Sequence, residues 1–411
     1  MKYRIDCICD LNKSSLTNKD RLNDILYLDT SSITMNRISE LQTIKIIDAP
    51  SRAKRKVKDK TIIYSTVRPN LKHFGILTCP KENMVVSTGF TTIDVKKEFR
   101  NEINAEYLYY LLTNQSITDY LATKAESAVS SYPSINPSDI GELTFSFPEI
   151  KIQEAVVNSI SPIDQKISLN TRMNAELEAM AKQLYDYWFV QFDFPDENGN
   201  PYKSSGGKMV YNSTLKREIP AGWEVKSLNQ LAQTPKESIN PFENPERDYK
   251  HYSIPAFDAC GSYLVEKGEV IQSNKFIVNK GQILVPKLNP WYNRVILVDS
   301  NEYSICSTEF VILDAIEDYV KGFLFYTVKT DSFISYCTKG STGTSHSQRR
   351  VPPEILKAYN VPYNKDVVSS FTACVMQQLS MINRNMNEIK QLTHLRDSLL
   401  PMLMNGQVTV E

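Results

Sequence analysis

One segment comes close to a catalytic element, and it reads Asn289-Pro290-Trp291-Tyr292. Enzymes that methylate adenine carry Asn or Asp, then two prolines, then an aromatic residue, together with a glycine-rich cofactor loop that follows a strand. This segment lacks the second proline, and no convincing glycine-rich loop accompanies it. We therefore do not expect it to form an active site.

Other side chains that could bind phosphate or metal do not stand at the required spacings. The phosphate-binding pattern Gly-x-x-x-x-Gly-Lys-Ser/Thr is absent, and we find no paired-acid and lysine cluster for a nuclease. The seven cysteines are scattered and odd in number, which indicates reduced thiols that mostly pack. The four histidines lie far apart, without the spacing of metal ligands: His73, His251, His346 and His394. The sequence predicts no catalytic or metal site.

Local basic clusters indicate nucleic-acid binding more than the overall charge does. Lysine and arginine number 47, as do aspartate and glutamate, so the formal net charge is zero. A zero net charge argues against a protein coated in positive charge but allows a local DNA-binding face. The densest basic cluster spans residues 52–60 and is opposed only by Asp59. A solvated loop is an equally good interpretation of this cluster.

Two further sets of residues could reach DNA. One set flanks the turns at 68–73 and 287–294, and the other belongs to the polar segment 339–350. Amide and guanidinium groups in such loops can read base edges, and hydroxyls can contact phosphates. The predicted DNA-contacting residues are Arg52, Lys54, Arg55, Lys56, Arg68, Lys72, His73, Lys287, Asn289, Asn293, Arg294, Ser345, Gln348, Arg349 and Arg350. Aromatic residues such as Trp291 and Tyr292 are alternative contacts to thymine methyl groups, although core packing is the commoner fate.

An imperfect internal repeat organises the elements that must position these residues. Ile62-Ile63-Tyr64 corresponds to Ile283-Leu284-Val285, and Val86-Ser87-Thr88-Gly89-Phe90 corresponds to Cys306-Ser307-Thr308-Glu309-Phe310. The same order extends over the turns between these segments and the aromatic segments that follow. Short runs rich in Ile and Val, bounded by Pro, Gly, Asn or Asp, predict strands, and the aromatic segments predict helices packed on them. The chain is therefore predicted to contain two homologous α+β globules.

A heptad pattern follows each globule and predicts two long helices. Apolar residues and asparagines recur at steps of three and four, which is typical of a coiled-coil seam. We expect the first long helix to begin at Ser161-Pro162, after a separate short helix. The predicted seam consists of Ile163, Ile167, Asn170, Asn174, Leu177, Leu184, Ile382, Asn385, Ile389, Leu392 and Leu399.

An intramolecular coiled coil is favoured because the seam is narrow and the outer faces are polar. Two ordinary amphipathic helices, each lying on its own globule, are the alternative. Because each globule precedes its helix, antiparallel pairing would place the globules at opposite ends, related by a pseudo-twofold axis. A helix from Ile163 to Phe189 is about 40 Å long, which would separate the globule centres by about 12 base pairs of DNA.

Several further segments carry a family resemblance. They are Pro148-Glu149-Ile150-Lys151-Ile152-Gln153-Glu154, Asn174-Ala175-Glu176-Leu177-Glu178, Phe192-Asp193-Phe194-Pro195, Ile219-Pro220-Ala221-Gly222-Trp223 and Ile283-Leu284-Val285-Pro286-Lys287-Leu288-Asn289-Pro290. Together with the two globules and their helices, they resemble the specificity subunit of type I restriction-modification enzymes. The resemblance covers almost the whole chain, and its specificity lies in the architecture and the helices, because the recognition domains vary widely.

The resemblance implies a division of the chain into two target-recognition domains, at 1–148 and 223–361. Each would read one half of a bipartite site in double-stranded DNA. A central helical region at 149–190 and a C-terminal one at 362–406 would form the coiled coil, with a linker at 191–222.

The resemblance also implies that the chain is a non-catalytic, cytoplasmic subunit of a prokaryotic complex. The helices would dock two methyltransferase subunits, which carry S-adenosylmethionine. Motor-nuclease subunits would use ATP and magnesium to translocate and cut unmethylated DNA. No cofactor is expected in this chain, and no apolar run approaches the length needed to span a membrane.

Three other functions are compatible with parts of the pattern. The first is a specificity subunit of a related restriction system that uses fewer partner types. The second is a coiled-coil adaptor that assembles proteins without binding DNA, which the basic cluster at 52–60 and the duplicated turns disfavour. A stand-alone methyltransferase is third.

Overall fold

A computed structural model describes residues 2–17, 19–127, 133–343 and 348–407 of the chain. The chain forms two compact units. The first unit comprises Met1–Asn170 and Glu388–Glu411, and the second comprises Thr171–Asn387. Both units combine helices with sheets, which confirms the predicted α+β class.

The first unit begins with a globule of short strands and helices. Its strands are β1 (Lys2–Arg4), β2 (Cys9–Leu11), β3 (Asp24–Leu28), β4 (Ile33–Thr34), β5 (Arg37–Ile38), β6 (Gln42–Lys45), β7 (Ala53–Lys56), β8 (Thr61–Ser65), β9 (Phe74–Leu77), β10 (Met84–Ser87), β11 (Phe90–Val95) and β12 (Thr144–Ser146). Its short helices are α1 (Ile5–Ile8), α2 (Ala105–Leu112), α3 (Gln115–Glu126) and α4 (Pro137–Gly141). A long helix, α5 (Ile150–Tyr185), follows and continues into the second unit.

The second unit repeats this sequence of elements. Its strands are β13 (Met209–Asn212), β14 (Arg217–Pro220), β15 (Glu224–Ser227), β16 (Ala232–Gln233), β17 (Ser238–Ile239), β18 (Asp248–Tyr252), β19 (Leu264–Lys267), β20 (Lys275–Ile277), β21 (Ile283–Pro286), β22 (Ile296–Leu297), β23 (Ser304–Cys306), β24 (Phe310–Ala315) and β25 (Asn360–Tyr363). Its helices are α6 (Leu228–Leu231), α7 (Ile254–Cys260), α8 (Lys321–Thr327), α9 (Asp331–Lys339), α10 (Pro353–Lys357) and the N-terminal part of α11 (Lys365–Met404).

The two globules share one sheet topology, which supports the repeat found in the sequence. One sheet has the order β2-β11-β8-β9 in the first unit and β16-β24-β21-β22 in the second. The other sheet has the order β6-β3-β10-β7 in the first unit, and β19-β18-β23-β20 with the extra strand β17 in the second. In both units this second sheet contains one parallel pair, β3 with β10 and β18 with β23. The repeat is therefore a structural duplication as well as a pattern of residues.

Alternating side chains of the central strand β8 hold the layers of the first unit together. Ile63 packs with Phe90 and with residues of the other sheet such as Val86. Its neighbours Ile62 and Tyr64 point the other way and belong to the core shared with the helices. This alternation is the expected geometry of a strand that is buried on both faces. The layers of the first unit are thus sheet, sheet and helices.

The first long helix differs from the prediction at its start. We expected a separate short helix to end before Ser161-Pro162, but α5 is one helix from Ile150 to Tyr185, and Pro162 lies inside it. A proline removes one helical hydrogen bond and crowds the preceding turn. The buried side chains of Val157 and Ile160, which belong to the core of the first unit, stabilise the helix across this point.

In the first unit, the segments of α5 and α11 run antiparallel and are joined by polar side chains. The Asp164 carboxylate accepts hydrogen bonds from Arg396 Nη1 at 3.1 Å and from the hydroxyl of Tyr110 in α2 at 2.8 Å. Asn170 Nδ2 donates to Glu388 Oε2 at 2.8 Å. Along α5, from residue 164 to 170, the contacted residue of α11 falls in number from 396 to 388. The two segments therefore run in opposite directions.

In the second unit, the segments of the same two helices are also antiparallel. Asn385 Nδ2 donates to Asn174 Oδ1 at 2.8 Å. Farther along, the rings of Tyr185 and Phe371 meet edge to face at 5.8 Å. The predicted seam residues are all buried or half-buried, with Ile167, Asn170 and Asn385 the most buried and Ile163, Asn174, Leu177, Leu184, Ile382, Ile389, Leu392 and Leu399 intermediate.

The predicted linker at 191–222 is folded onto the second unit. Phe192, Phe194 and Ile219 are buried in its hydrophobic core, and β13 pairs with β14 as an antiparallel hairpin. The resemblance implies only that this segment links two regions of the chain. Its few apolar side chains decide where the segment lies, because each buries a large area against the core.

Replacing Phe371 with Ala should lower the free energy of unfolding by about 3–5 kcal/mol. Phe371 is fully buried and contacts the rings of Tyr185, Trp188 and Phe189, so the smaller side chain would leave a cavity. The measurement is urea unfolding followed by tryptophan fluorescence. Leu395→Ala on the exposed side of the same helix is the control and should change stability by no more than about 0.5 kcal/mol. Equal losses in the two variants would contradict this account of the core.

Candidate nucleic-acid interface

A single 3-10 turn (Pro69–Leu71), flanked by two residues in the left-handed conformation, follows β8 in the first unit. The flanking residues are Arg68 and Lys72, whose φ angles are 47° and 56°. The backbone N–H of Leu71 donates to the carbonyl of Arg68 at 2.9 Å. A positive φ is uncommon for a long side chain, and Arg68 also precedes a proline, Pro69, which restricts it further. The surrounding structure must therefore hold the turn in place.

The second unit makes a corresponding turn after β21. Asn289 precedes Pro290 and has a φ of 51°, and the N–H of Tyr292 donates to the Asn289 carbonyl at 3.0 Å. Asparagine adopts the left-handed conformation more readily than arginine. The duplication has thus kept the left-handed residue before the proline and the hydrogen bond that closes the turn, while the side chains have changed.

In the first unit, the turn is bonded to the loop that follows α3. The Arg68 N–H donates to the carbonyl of Pro133, and the Ile135 N–H donates to the carbonyl of Thr66, both at 2.9 Å. These two bonds hold the start of the turn. They supply part of the support that its strained conformation requires.

In the second unit, corresponding bonds bring together two sets of predicted DNA contacts. The Asn289 N–H donates to the carbonyl of Arg349 at 2.8 Å, and the Val351 N–H donates to the carbonyl of Lys287 at 3.0 Å. The turn at 287–294 and the end of the polar loop therefore form one surface. The sequence could not predict this contact, because about 60 residues separate the two segments.

The basic cluster at 52–60 begins as a strand. Ala53–Lys56 is β7, an edge strand paired antiparallel with β10. The Arg52 carbonyl accepts the N–H of Thr88 at 2.8 Å, and the carbonyl of Gly89 accepts the N–H of Thr66 at 2.9 Å. The turn at 88–89 thus connects the start of this strand to the segment that leads into the Arg68 turn.

Some cations of this cluster are neutralised by acids far away in the sequence. Lys56 forms an ion pair with Asp20, and the hydrogen bond from its amine lowers the pKa of the Asp20 carboxyl to about 2. Lys60 Nζ donates to Glu106 Oε1 at 2.6 Å. Lys56, a predicted DNA contact, therefore carries a charge that is already balanced within the protein.

The other three predicted residues of the cluster differ in exposure. Arg55 is half-buried, its Nη1 donates to the carbonyl of Asn12 at 3.3 Å, and burial lowers the pKa of its guanidinium. Arg52 and Lys54 are exposed. These two side chains are the members of the cluster best placed to meet a phosphate.

At the first turn, two predicted contacts hold other parts of the globule. Lys72 Nζ donates to Gln115 Oε1 at 2.7 Å. His73 Nδ1 lies 2.6 Å from the carbonyl oxygen of Ile33, a geometry in which this ring nitrogen donates. Both side chains are half-buried, so they fix the hairpin β4–β5 and helix α3 relative to the turn.

At the second turn, the guanidinium of Arg294 already has partners within the protein. Its Nε and Nη2 donate to the two carboxylate oxygens of Asp258 in α7 at 2.7 and 2.8 Å. The guanidinium also lies 4.4 Å from the centroid of the Tyr292 ring. A bidentate pair of this kind has a fixed geometry, so Arg294 acts as a brace for Tyr292. Asn293 is exposed beside it, and Lys287 is half-buried.

The polar loop of the second unit carries two arginines with internal partners. Arg350 hydrogen-bonds the Glu309 carboxylate through Nε at 3.0 Å, which raises the pKa of this arginine. Arg349 Nη2 donates to the carbonyl of Ser341 at 2.7 Å. Gln348 is exposed. Ser345, a further predicted contact, lies outside the described residues.

The acids that balance these cations were missed in the sequence. Asp20, Asp258 and Glu309 lie 36, 36 and 41 residues from Lys56, Arg294 and Arg350. No local spacing relates the partners, since helical pairs form only at three or four residues. In the described ranges, no group of three metal-binding side chains comes together, and no helix there is both long and apolar enough to cross a membrane.

Comparison with known proteins shows which proteins this chain is similar to. Residues 1–179 match the family described as the type I restriction modification DNA specificity domain. The chain is 24% identical to the type I restriction enzyme HindI specificity subunit of Haemophilus influenzae, over 94% of each protein. It is 26% identical to the MjaIX specificity subunit of Methanocaldococcus jannaschii, over 88% of this chain and 83% of that protein.

A solved structure shares the fold. The S subunit of a type I restriction-modification system from M. genitalium is 15% identical and superposes with a TM-score of 0.57, covering 98% of this chain and 95% of that one. This likeness shows the fold, and the matched family model adds that residues 1–179 resemble a DNA specificity domain. Over most of its length the chain is similar to specificity subunits of type I restriction-modification enzymes, the family that its sequence resembles.

Proposed function

We propose that this chain binds double-stranded DNA within a type I restriction-modification complex and that each unit reads one half of a bipartite site. The observation that carries the proposal is the duplicated turn. A strained residue before a proline, hydrogen-bonded to a corresponding loop, begins both turns, which expose Leu71 in one unit and Tyr292 in the other. Two domains that recognise different DNA sequences require a shared scaffold that carries different side chains.

The exposed cations support phosphate contacts in the first unit. Arg52 and Lys54 lie at the start of an edge strand that the 88–89 turn connects to the Arg68 turn. Phosphate contacts from such residues position a protein on DNA, and base contacts then supply the specificity. The half-buried Arg55 and the paired Lys56 are assigned to the structure of the globule rather than to DNA.

The helices are proposed to set the spacing of the half-sites and to dock two methyltransferase subunits. At about 1.5 Å per residue, the 36 residues of α5 extend about 54 Å, which exceeds one turn of DNA of about 34–36 Å. Large apolar side chains on both helices are exposed, among them Met180, Met381 and Leu395. Exposed apolar groups of this kind often mark protein contacts when they cluster.

The partner subunits are proposed to supply the chemistry. Methyltransferase subunits would bring S-adenosylmethionine, and motor-nuclease subunits would bring ATP and magnesium. The related system with fewer partner types would use this chain in the same way. An adaptor that does not bind DNA would use the exposed helices but would give the duplicated turns no role.

Methylation sequencing should reveal a new methyl-adenine mark when this chain is expressed with its neighbouring methyltransferase. The mark should fall at a split motif with two short defined halves and an undefined gap, because two separate globules would read it. A strain that expresses the methyltransferase alone is the control. Absence of the mark despite a purified, intact complex would argue for the adaptor function.

Replacing Arg52 and Lys54 together with Gln should flatten the salt dependence of DNA binding. Each lost phosphate contact lowers the slope of log K against log salt by about 0.9, so the slope should fall by up to about 2. The matched control is the double variant Lys56→Gln, Lys60→Gln, whose cations are paired with Asp20 and Glu106 and whose slope should not change. An unchanged slope in the first variant would place β7 away from the DNA.

A further inference from the structure

Each turn exposes one large apolar side chain at the same position of the repeat. Leu71 is 45% exposed and Tyr292 is 51% exposed. The two residues correspond, because each donates its backbone N–H to the carbonyl three residues earlier, that of Arg68 or Asn289. An isolated exposed apolar residue needs no explanation, but the same exposure at both copies of a braced turn does.

The two side chains stand on rigid supports. The first turn is held by hydrogen bonds from Arg68 to Pro133 and from Lys72 to Gln115. Tyr292 rests on the guanidinium of Arg294, which Asp258 fixes through two hydrogen bonds. A rigid support lowers the entropy that a contact residue loses on binding. Both side chains are therefore preorganised for contact with a partner.

The surroundings of these residues favour DNA over protein as that partner. Leu71 lies between two cationic residues, Arg68 and Lys72, and beside Tyr292 the amide of Asn293 is exposed while Asp258 balances Arg294. Protein interfaces are depleted of charge at their apolar centres, whereas DNA-binding surfaces combine cations with a few apolar contacts. The apolar group that a base pair offers in the major groove is the 5-methyl group of thymine.

The space beside the two residues differs. Leu71 borders a cavity of about 220 Å³, which Ala122 and Ala125 of α3 also line. The cavity beside Tyr292 is only about 10 Å³, and Phe333 and Ile334 of α9 line it. The small alanines leave room for a group from the partner beside Leu71. Beside Tyr292, only the surface of the ring is available.

We propose that Leu71 and Tyr292 are specificity-determining residues, each of which contacts the 5-methyl group of a thymine in the half-site read by its own unit. This proposal rests on the proposed function and adds a base contact to it. Two features distinguish it from the predicted polar contacts. It assigns base recognition to apolar side chains, and it assigns Arg294 to the positioning of Tyr292.

The test uses the purified complex with its methyltransferase and DNA that contains the site found by methylation sequencing. Each thymine of the two half-sites is replaced in turn by uracil, which lacks only the methyl group, and binding is measured at fixed salt. Loss of one buried methyl group should weaken binding about three- to fivefold at one position in each half-site. Tyr292→Ala should abolish the effect in the second unit's half-site only, and Leu71→Ala in the first unit's half-site only.

The matched controls are Ile47→Ala in the first unit and Val270→Ala in the second, which remove exposed apolar side chains outside the turns. Both should retain the two uracil effects. If Tyr292→Ala does not assemble, Tyr292→Gln replaces the ring with a polar side chain that is longer than that of alanine, and it should lose the same effect. Uracil effects that are absent from the wild type, or that persist in the turn variants, would overturn the proposal. A wild-type complex that does not distinguish its site from a scrambled one would instead refute the proposed function.

Discussion

Burial of aromatic side chains between the long helices and the sheet layer is the interaction on which the rest of the second unit depends. Phe371 of α11 meets Tyr185 of α5 and Phe189, and Phe189 in turn packs on Phe323 of α8 at 4.7 Å. These rings come from segments that are distant in the chain. Large aromatic side chains dominate core energetics because each buries an extensive apolar surface. This packing fixes α8 and α9, and with them the loop that supports the turn.

The polar side chains of the helix pair perform a different task. Asp164 joins α5, α11 and the globule of the first unit through Arg396 and Tyr110, and Asn170 binds Glu388. Buried polar pairs add little net stability, because their desolvation offsets their attraction. They penalise any shift of register, however, since a shift would leave each group without its partner. Apolar burial thus supplies stability, and these pairs supply alignment.

The strained turn depends on the stability and alignment that this packing supplies. Arg68 and Asn289 hold left-handed conformations before a proline, which cost free energy that only the surrounding structure can offset. A corresponding hydrogen-bonded loop supports the turn in each unit. The duplication therefore conserves the costly left-handed residue and varies the side chains that the turn presents. This division is suited to the proposed function, in which each unit reads its own half-site.

The sequence by itself determined the duplication, the α+β class and the two long helices, because these depend on the period and order of apolar residues, which are local properties. It also indicated the family. It did not determine that Pro162 lies within a helix, that Phe192 and Phe194 dock the segment after α5, or that Lys56, Arg294 and Arg350 are paired with acids. Only the tertiary structure decided these points. A side chain's partner depends on which distant segments meet, and that is set by the packing of the whole unit rather than by neighbouring residues.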